Sequence, residues 1–416
     1  SIMKNICFTF QVHQPYRLRN FHFFEIGSHY NYFDEETNAK IMRQIVEESY
    51  LPTNKLLLNL INTFGNKIKV SFAISGTALN QMEQYVPEVL ESFKELAATG
   101  NIEFLGQNYA TSLSSLKSES AFHEEVLEHK RLINKLFRKR PKVFLNTGLL
   151  YSDEIGKMIS DLGFKCVITE GSSVILNGKS PNNLYKSASR PPLSLFLRNT
   201  SLSDDIALRF SQRNWNEWPL TSEKYLGWLS ALPASDELVN LVMDYGTFGE
   251  HHKKESGIFE FLEFLFRHIA ESKDLKLSTP EEVLKSVSAK AKLKISTPIS
   301  WTGTDKNGSV WLKNEMQQEA FDTLYVMENL IKKTKDKFLH QDWERLKSAD
   351  HFLYMNNFDE DLNNLFNPYE NPYAAFLKYM NVLSDFQLKV EDKTKKSAKR
   401  KNSRSFSKKQ IDETIN

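Results

Sequence analysis

Short, wholly apolar runs alternate along the chain with longer stretches whose apolar residues recur every three or four positions. The runs at 6–12, 68–74, 102–105, 143–145, 166–169, 194–197 and 239–243 are rich in Val, Ile, Leu and Phe. Such runs, apolar on both faces, are what buried parallel strands require. Between them, Phe122, Val126, Ile133 and Phe137 space as one helix, and 78–97, 153–162 and 258–269 read in the same way. Strand and helix in alternation predict a parallel α/β fold. Seven such units predict an incomplete, seven-stranded (β/α)7 barrel related to the eight-stranded TIM barrel. From about residue 296 the strand pattern stops. Met316, Ala320, Leu324, Met327 and Ile331 form a helical stripe, followed by Trp343, Leu346 and Phe352 and then by the segment 373–386. The expected organisation is a barrel over 1–295, a helical domain over 296–390 and a polar, unstructured tail over 391–416.

Composition changes this picture in three places. The net charge of +2 is not evenly spread. Residues 391–416 carry nine Lys and Arg against four Asp and Glu, so the tail is +5 and the rest of the chain is −3. A weakly acidic body argues against a nucleic-acid partner, which calls for basic charge along a groove. The two cysteines, Cys7 and Cys166, fall inside predicted strands, which excludes a disulfide framework and leaves no thiolate metal site. Low cysteine usage fits a reducing, cytoplasmic setting. The start lacks a charged segment followed by an apolar one, and no 18-residue apolar run occurs, so neither a signal peptide nor a membrane span is expected.

Candidate chemistry clusters where the predicted strands end, which is where barrels of this kind place their sites. The first strand runs into Gln11, His13 and Gln14, the third into Gln107 and Asn108, and the fourth into Asn146-Thr147-Gly148. The fifth runs into Glu170; the sixth is followed by Asp204 and Asp205; the seventh runs into Asp244, with Glu250-His251-His252 beyond. Amides, carboxylates and aromatics in one pocket suit a neutral, hydroxyl-rich ligand, for which Trp215, Trp218, Trp228, Trp301 and Trp311 offer flat apolar faces. The adjacent His251 and His252 diverge and have no third ligand at metal spacing, so no metal or other cofactor is expected.

Seven segments in order carry a family resemblance: FQVHQPYR at 10–17, EFLGQNYATSL at 103–113, FLNTGLLYSDEIG at 144–156, SLSDDIALRFS at 201–211, MDYGTFGEHH at 243–252, PISWTGTDKNGSVWLKNEMQQEAF at 298–321 and SADHFLYM at 348–355. The chain resembles glycoside hydrolase family 57, the α-amylase and glucanotransferase family. That resemblance implies action on, or binding of, α-1,4-glucans such as glycogen, starch or maltooligosaccharides by a retaining mechanism. Its two carboxyl groups, a glutamate nucleophile and an aspartate acid/base, would stand about 5–5.5 Å apart. Asp244 matches the acid/base. The nucleophile position is occupied by Gly148, which has no side chain. Gln107 and Thr111 stand where the family usually carries Glu and His, and Gly246 where its amylases often carry Glu. The nearest glutamate to the vacancy, Glu154, lies six residues on. The resemblance also implies sugar contacts from His13, Gln14, Gln107, Trp215, Trp301 and Asp350. The expectation is an α-amylase-like glucan-binding protein with impaired catalysis. Two alternatives stand beside it: an active α-glucan hydrolase or transferase with a displaced carboxylate, and a non-catalytic scaffold in glycogen metabolism.

Overall fold

The computed structural model describes residues 2–28, 31–358 and 366–414. The chain divides into two compact units. One comprises 2–15 and 36–310; the other comprises 16–28, 31–35, 311–358 and 366–414.

The first unit is built on seven strands: β1 (Lys4–Val12), β2 (Val70–Ile74), β3 (Ile102–Phe104), β4 (Val143–Leu145), β5 (Cys166–Glu170), β6 (Ser194–Arg198) and β7 (Leu238–Asp244). All seven apolar runs therefore form strands. Parallel pairing links β1 to β2, β2 to β3, β4 to β5, β5 to β6, β6 to β7 and β7 back to β1. A parallel bridge between Gly106 and Phe144 joins β3 to β4 and closes the ring. The bridge is carried by bonds from Gly106 N–H to the Val143 carbonyl (2.8 Å) and from Leu145 N–H to the Gly106 carbonyl (2.9 Å). Gly106 is needed there, because a Cβ would come within 2.6 Å of the Phe164 ring. Short strands at the rim, Leu184–Ser187, Leu275–Leu277 and Lys292–Leu293, add to the sheet, the first of them antiparallel to β6.

Alternation along each strand sorts the side chains. Cys7, Ala73, Leu105, Leu145, Ile168, Phe196 and Val242 pack into one cluster inside the barrel. Residues of the opposite parity face the helices, as Phe8 does against Phe266 (ring centroids 4.9 Å apart) and Phe72 against Phe93 (5.3 Å). The helix Glu119–Phe137 follows β3, as its spacing predicts. The stretch 78–97 is two helices, Gly76–Tyr85 and Pro87–Ala98, because Pro87 has no N–H to continue the first and instead starts the second.

The second unit is helical among its described residues. Ala320, Leu324, Met327 and Ile331 are buried along Glu315–Val326 and Glu328–Lys332, and Trp343 and Leu346 along Lys337–Leu346. The final helix, Pro372–Thr414, buries Tyr379, Leu383, Phe386 and Val390 and then continues through 391–414 with largely exposed side chains. The basic segment is thus helical here, where its composition pointed to an unstructured tail. Among the described residues no helix is long and apolar enough to cross a membrane.

Candidate active site

The parity that fills the barrel also builds its upper rim. Two residues beyond the buried cluster on each strand, the inward positions become polar. They are Ser75 after β2, Gln107 after β3, Thr147 after β4, Glu170 in β5, Arg198 in β6 and Asp244 in β7. On β1 the same parity runs from Cys7 through Thr9 and Gln11 to His13. One end of the barrel thus collects the residues singled out at the strand ends.

His13 is held by its Nδ1, 2.7 Å from Ser75 Oγ. Ser75 also caps the helix Gly76–Tyr85 by accepting from Ala78 N–H (2.9 Å). Gln14 and Gln107 are buried; the Gln14 carbonyl accepts from Gln81 Nε2 (2.8 Å). Asn146 and Thr147 are buried and their polar groups bond within the protein. Asn108 Nδ2 donates to Asn146 Oδ1 (3.1 Å) and Thr147 Oγ1 (3.0 Å), and Asn146 Nδ2 donates to Ser115 Oγ (3.0 Å). This buried network ties the end of β3 to the end of β4.

Gly148 sits in the one-turn helix Thr147–Leu149 at φ 56° and ψ 26°, a left-handed conformation that glycine adopts without steric cost. The turn is latched on both sides. The Gly148 carbonyl accepts from Ser300 Oγ (2.7 Å) and Trp301 N–H (3.0 Å), and the Leu149 carbonyl accepts from Thr169 Oγ1 (2.8 Å). Trp301 is thereby placed beside Gly148, half-buried over the barrel core. Glu154, on the helix Asp153–Asp161, is exposed.

Arg198 is the residue that the strand-end reading passed over. It directly follows the predicted strand 194–197, and the only signal for it is a charge at the end of that apolar run. Its guanidinium binds Glu170 (3.1 Å) and Asp204 (2.6 Å), donates to the Val242 carbonyl (2.8 Å) and stacks 5.1 Å from the Trp301 ring centroid. Glu170 is completed by Thr200 Oγ1 (2.5 Å) and Gly171 N–H (3.1 Å). A buried carboxylate with this many partners is a structural anchor.

Asp244 ends β7 and caps the turn Tyr245–Thr247 by accepting from Gly246 N–H (2.7 Å). Its side chain keeps 37% exposure, whereas that of Glu250 keeps 4%. His251 Nε2 stands between them, 3.0 Å from Glu250 Oε2 and 3.8 Å from Asp244 Oδ1. Burial pushes the Glu250 carboxyl above its usual range, against the pull of His251. Gly246 makes this convergence possible: a Cβ there would lie 2.7 Å from Asp244 Oδ1 and 3.3 Å from His251 Nε2. The neighbouring His252 turns away, to Ser211 Oγ (2.7 Å) and the Ala207 carbonyl (2.9 Å), and burial lowers its pKa. The two histidines diverge, and among the described residues no group of three His, Cys, Asp or Glu side chains is placed to hold a metal ion.

Trp215 lies on the loop that begins at Ser211 and packs edge-on against Trp228 (6.3 Å). Trp311 and Asp350 belong to the second unit, where Ser348 Oγ donates to Asp350 (2.9 Å). Thr111, buried at φ 54°, has no hydrogen bond to its Oγ1.

A seven-stranded ring with these rim residues can be compared with known proteins. The family model described as glycosyl hydrolase family 57 matches residues 7–296. The chain belongs to glycosyl hydrolase family 57. A Methanocaldococcus jannaschii protein named "Putative alpha-amylase" is 36% identical over 418 residues, covering 96% of this chain and 87% of that one. The fold is similar to that of a family 57-type branching enzyme from Pyrococcus horikoshii, with a TM-score of 0.66 at 15% identity over 91% of this chain and 88% of that one. It is also similar to a 4-alpha-glucanotransferase from Thermococcus litoralis, with a TM-score of 0.59 at 16% identity. The alignment there covers 91% of this chain but 55% of the transferase, so the chain spans about half the length of that enzyme.

Proposed function

We propose that the upper rim of the barrel binds α-1,4-glucans and that Asp244 is retained there while hydrolysis is impaired. The observation that carries this reading is the backbone at residue 148. The position matching the nucleophile is a glycine in a left-handed turn whose carbonyls are held by Ser300, Trp301 and Thr169. A retaining mechanism needs a carboxylate there to attack the anomeric carbon. Losing one member of such a catalytic pair costs on the order of 10⁴–10⁶ in turnover. Binding has no such requirement. His13, Gln107 and Asp244 supply polar contacts, and Trp301 an apolar face, as hydroxyl-rich rings require. The names of the relatives, an amylase, a branching enzyme and a glucanotransferase, support α-glucan as the ligand class.

A second reading has its own observation. Glu250 lies one imidazole away from Asp244, so a displaced carboxylate exists on the same segment. In that reading the protein is an active α-glucan hydrolase or transferase. Glu250 is buried and engaged by His251, which favours the impaired form. Calorimetric titration with maltoheptaose tests the binding claim. Saturable binding that weakens at least tenfold in Trp301→Ala is expected; absence of binding to maltoheptaose and to glycogen would overturn it.

A further inference from the structure

At the other end of the barrel, where β3 and β4 begin, lies a depression of about 450 Å³. Arg138, Lys139, Arg140 and Lys142 line it from the turn between the helix Glu119–Phe137 and β4. Lys285 reaches it from the helix Pro280–Ser286, and Glu103 of β3 forms part of its floor. Five cations therefore meet in one hollow of a body whose net charge is negative.

The carboxylates around it are already engaged. Glu281 pairs with Lys142 (3.3 Å) and Glu282 with Lys69 (3.0 Å). Glu103 accepts from Glu281 N–H (2.7 Å), and burial raises its pKa to about 8, so it adds no negative charge near neutrality. Among the described residues Arg138, Lys139, Arg140 and Lys285 have no carboxylate partner. Cations just past a helix C-terminus offset its partial negative charge, which accounts for Arg138 and Lys139 on their own. Lys285 likewise sits in the last turn of its own helix, Pro280–Ser286; the dipole accounts for each cation singly, but not for cations from two separate elements lining one hollow. A concave, low-dielectric surface with unmatched charge of one sign concentrates ions of the other.

We propose that this depression is a binding site for a small phosphorylated molecule. The two guanidinium groups offer forked N–H donors matched to the non-bridging oxygens of a phosphoryl group, and Lys139 and Lys285 add charge. The volume fits a small ligand. The hollow is short and has no exposed aromatic ring, whereas a single-stranded nucleic acid needs a basic track with stacking platforms.

The test is calorimetric titration of the full chain with inorganic pyrophosphate at low and moderate salt. Expected are one saturable site that weakens as salt rises, and at least a tenfold loss of affinity in the Arg138→Gln/Arg140→Gln/Lys285→Gln variant, its thermal midpoint unchanged. Deleting residues 391–416 should leave the affinity as it was, which separates this site from the basic C-terminal helix. No binding, or binding indifferent to the triple substitution, would overturn the proposal. So would a single-stranded oligonucleotide that binds tenfold more tightly than pyrophosphate and is lost in the same variant.

Discussion

At the scale of single residues, two glycines decide the character of the rim. Gly148, which we propose stands in the nucleophile's place, has no side chain, and its turn has φ 56°. Any other residue there pays roughly 1–2 kcal/mol for the left-handed conformation. Gly246 acts in the opposite sense, by letting Asp244, His251 and Glu250 approach one another. Gly246→Ala places a methyl group 2.7 Å from Asp244 Oδ1 and forces that carboxylate to move. The expected result is a loss of maltoheptaose affinity of about tenfold, with a stability change of roughly 1 kcal/mol as for other crowded sites. Calorimetry together with urea unfolding checks both numbers, and unaltered affinity would show that Asp244 does not face the sugar.

Elements explain why much of this was readable from sequence and some was not. The seven strands announce themselves because a strand buried on both faces must be apolar along its whole length, as 143–145 and 194–197 are. The polar rim follows from strand ends alone, so His13, Gln107 and Asp244 could be found without coordinates. Arg198 could not: its role comes from Glu170, Asp204 and Trp301, which the chain brings together across three separate segments. The break at Pro87 is the reverse case, since the proline was visible but the spacing of apolar residues ran on past it. The basic segment at 391–414 shows a further limit, because composition reports how little it buries and not whether a helix already begun at Pro372 goes on.

One helix carries a pH signature of its own. His129, on Glu119–Phe137, is fully buried, with Nε2 2.7 Å from the Ile74 carbonyl and no partner for Nδ1. Burial holds its pKa down at about 4. Below its unfolded pKa of about 6.5 the unfolded chain takes up a proton that the folded chain refuses, so acidification favours unfolding. Between pH 6.5 and 4.5 this group alone should remove about 2–3 kcal/mol of stability. Glu103 works in the other direction: its raised pKa adds stability at low pH that is lost as pH rises toward 8. The clean observable is therefore a comparison of urea unfolding for wild type and His129→Gln at the two pH values. The difference between them should shrink by that amount on acidification; parallel pH profiles would contradict a neutral, buried imidazole.

For the molecule as a whole, charge and function separate. The net charge of +2 is the sum of a −3 body and a +5 terminal segment. Removing 391–416 should turn the protein from weakly basic to weakly acidic, visible as retention on an anion exchanger near neutral pH. It should leave the thermal midpoint within about 2 °C, because the deleted side chains are mostly exposed and surface changes of this kind cost little. A large drop in the midpoint would mean that the segment packs on the body. The central claim is a family 57 barrel that keeps its sugar site without its nucleophile. It is tested most directly by turnover of maltoheptaose by the wild-type chain, with Asp244→Asn alongside. The account predicts binding with hydrolysis at least about 10⁴-fold below that of a family member with both carboxyl groups, and little further loss in Asp244→Asn. Robust hydrolysis that disappears in Asp244→Asn would contradict it.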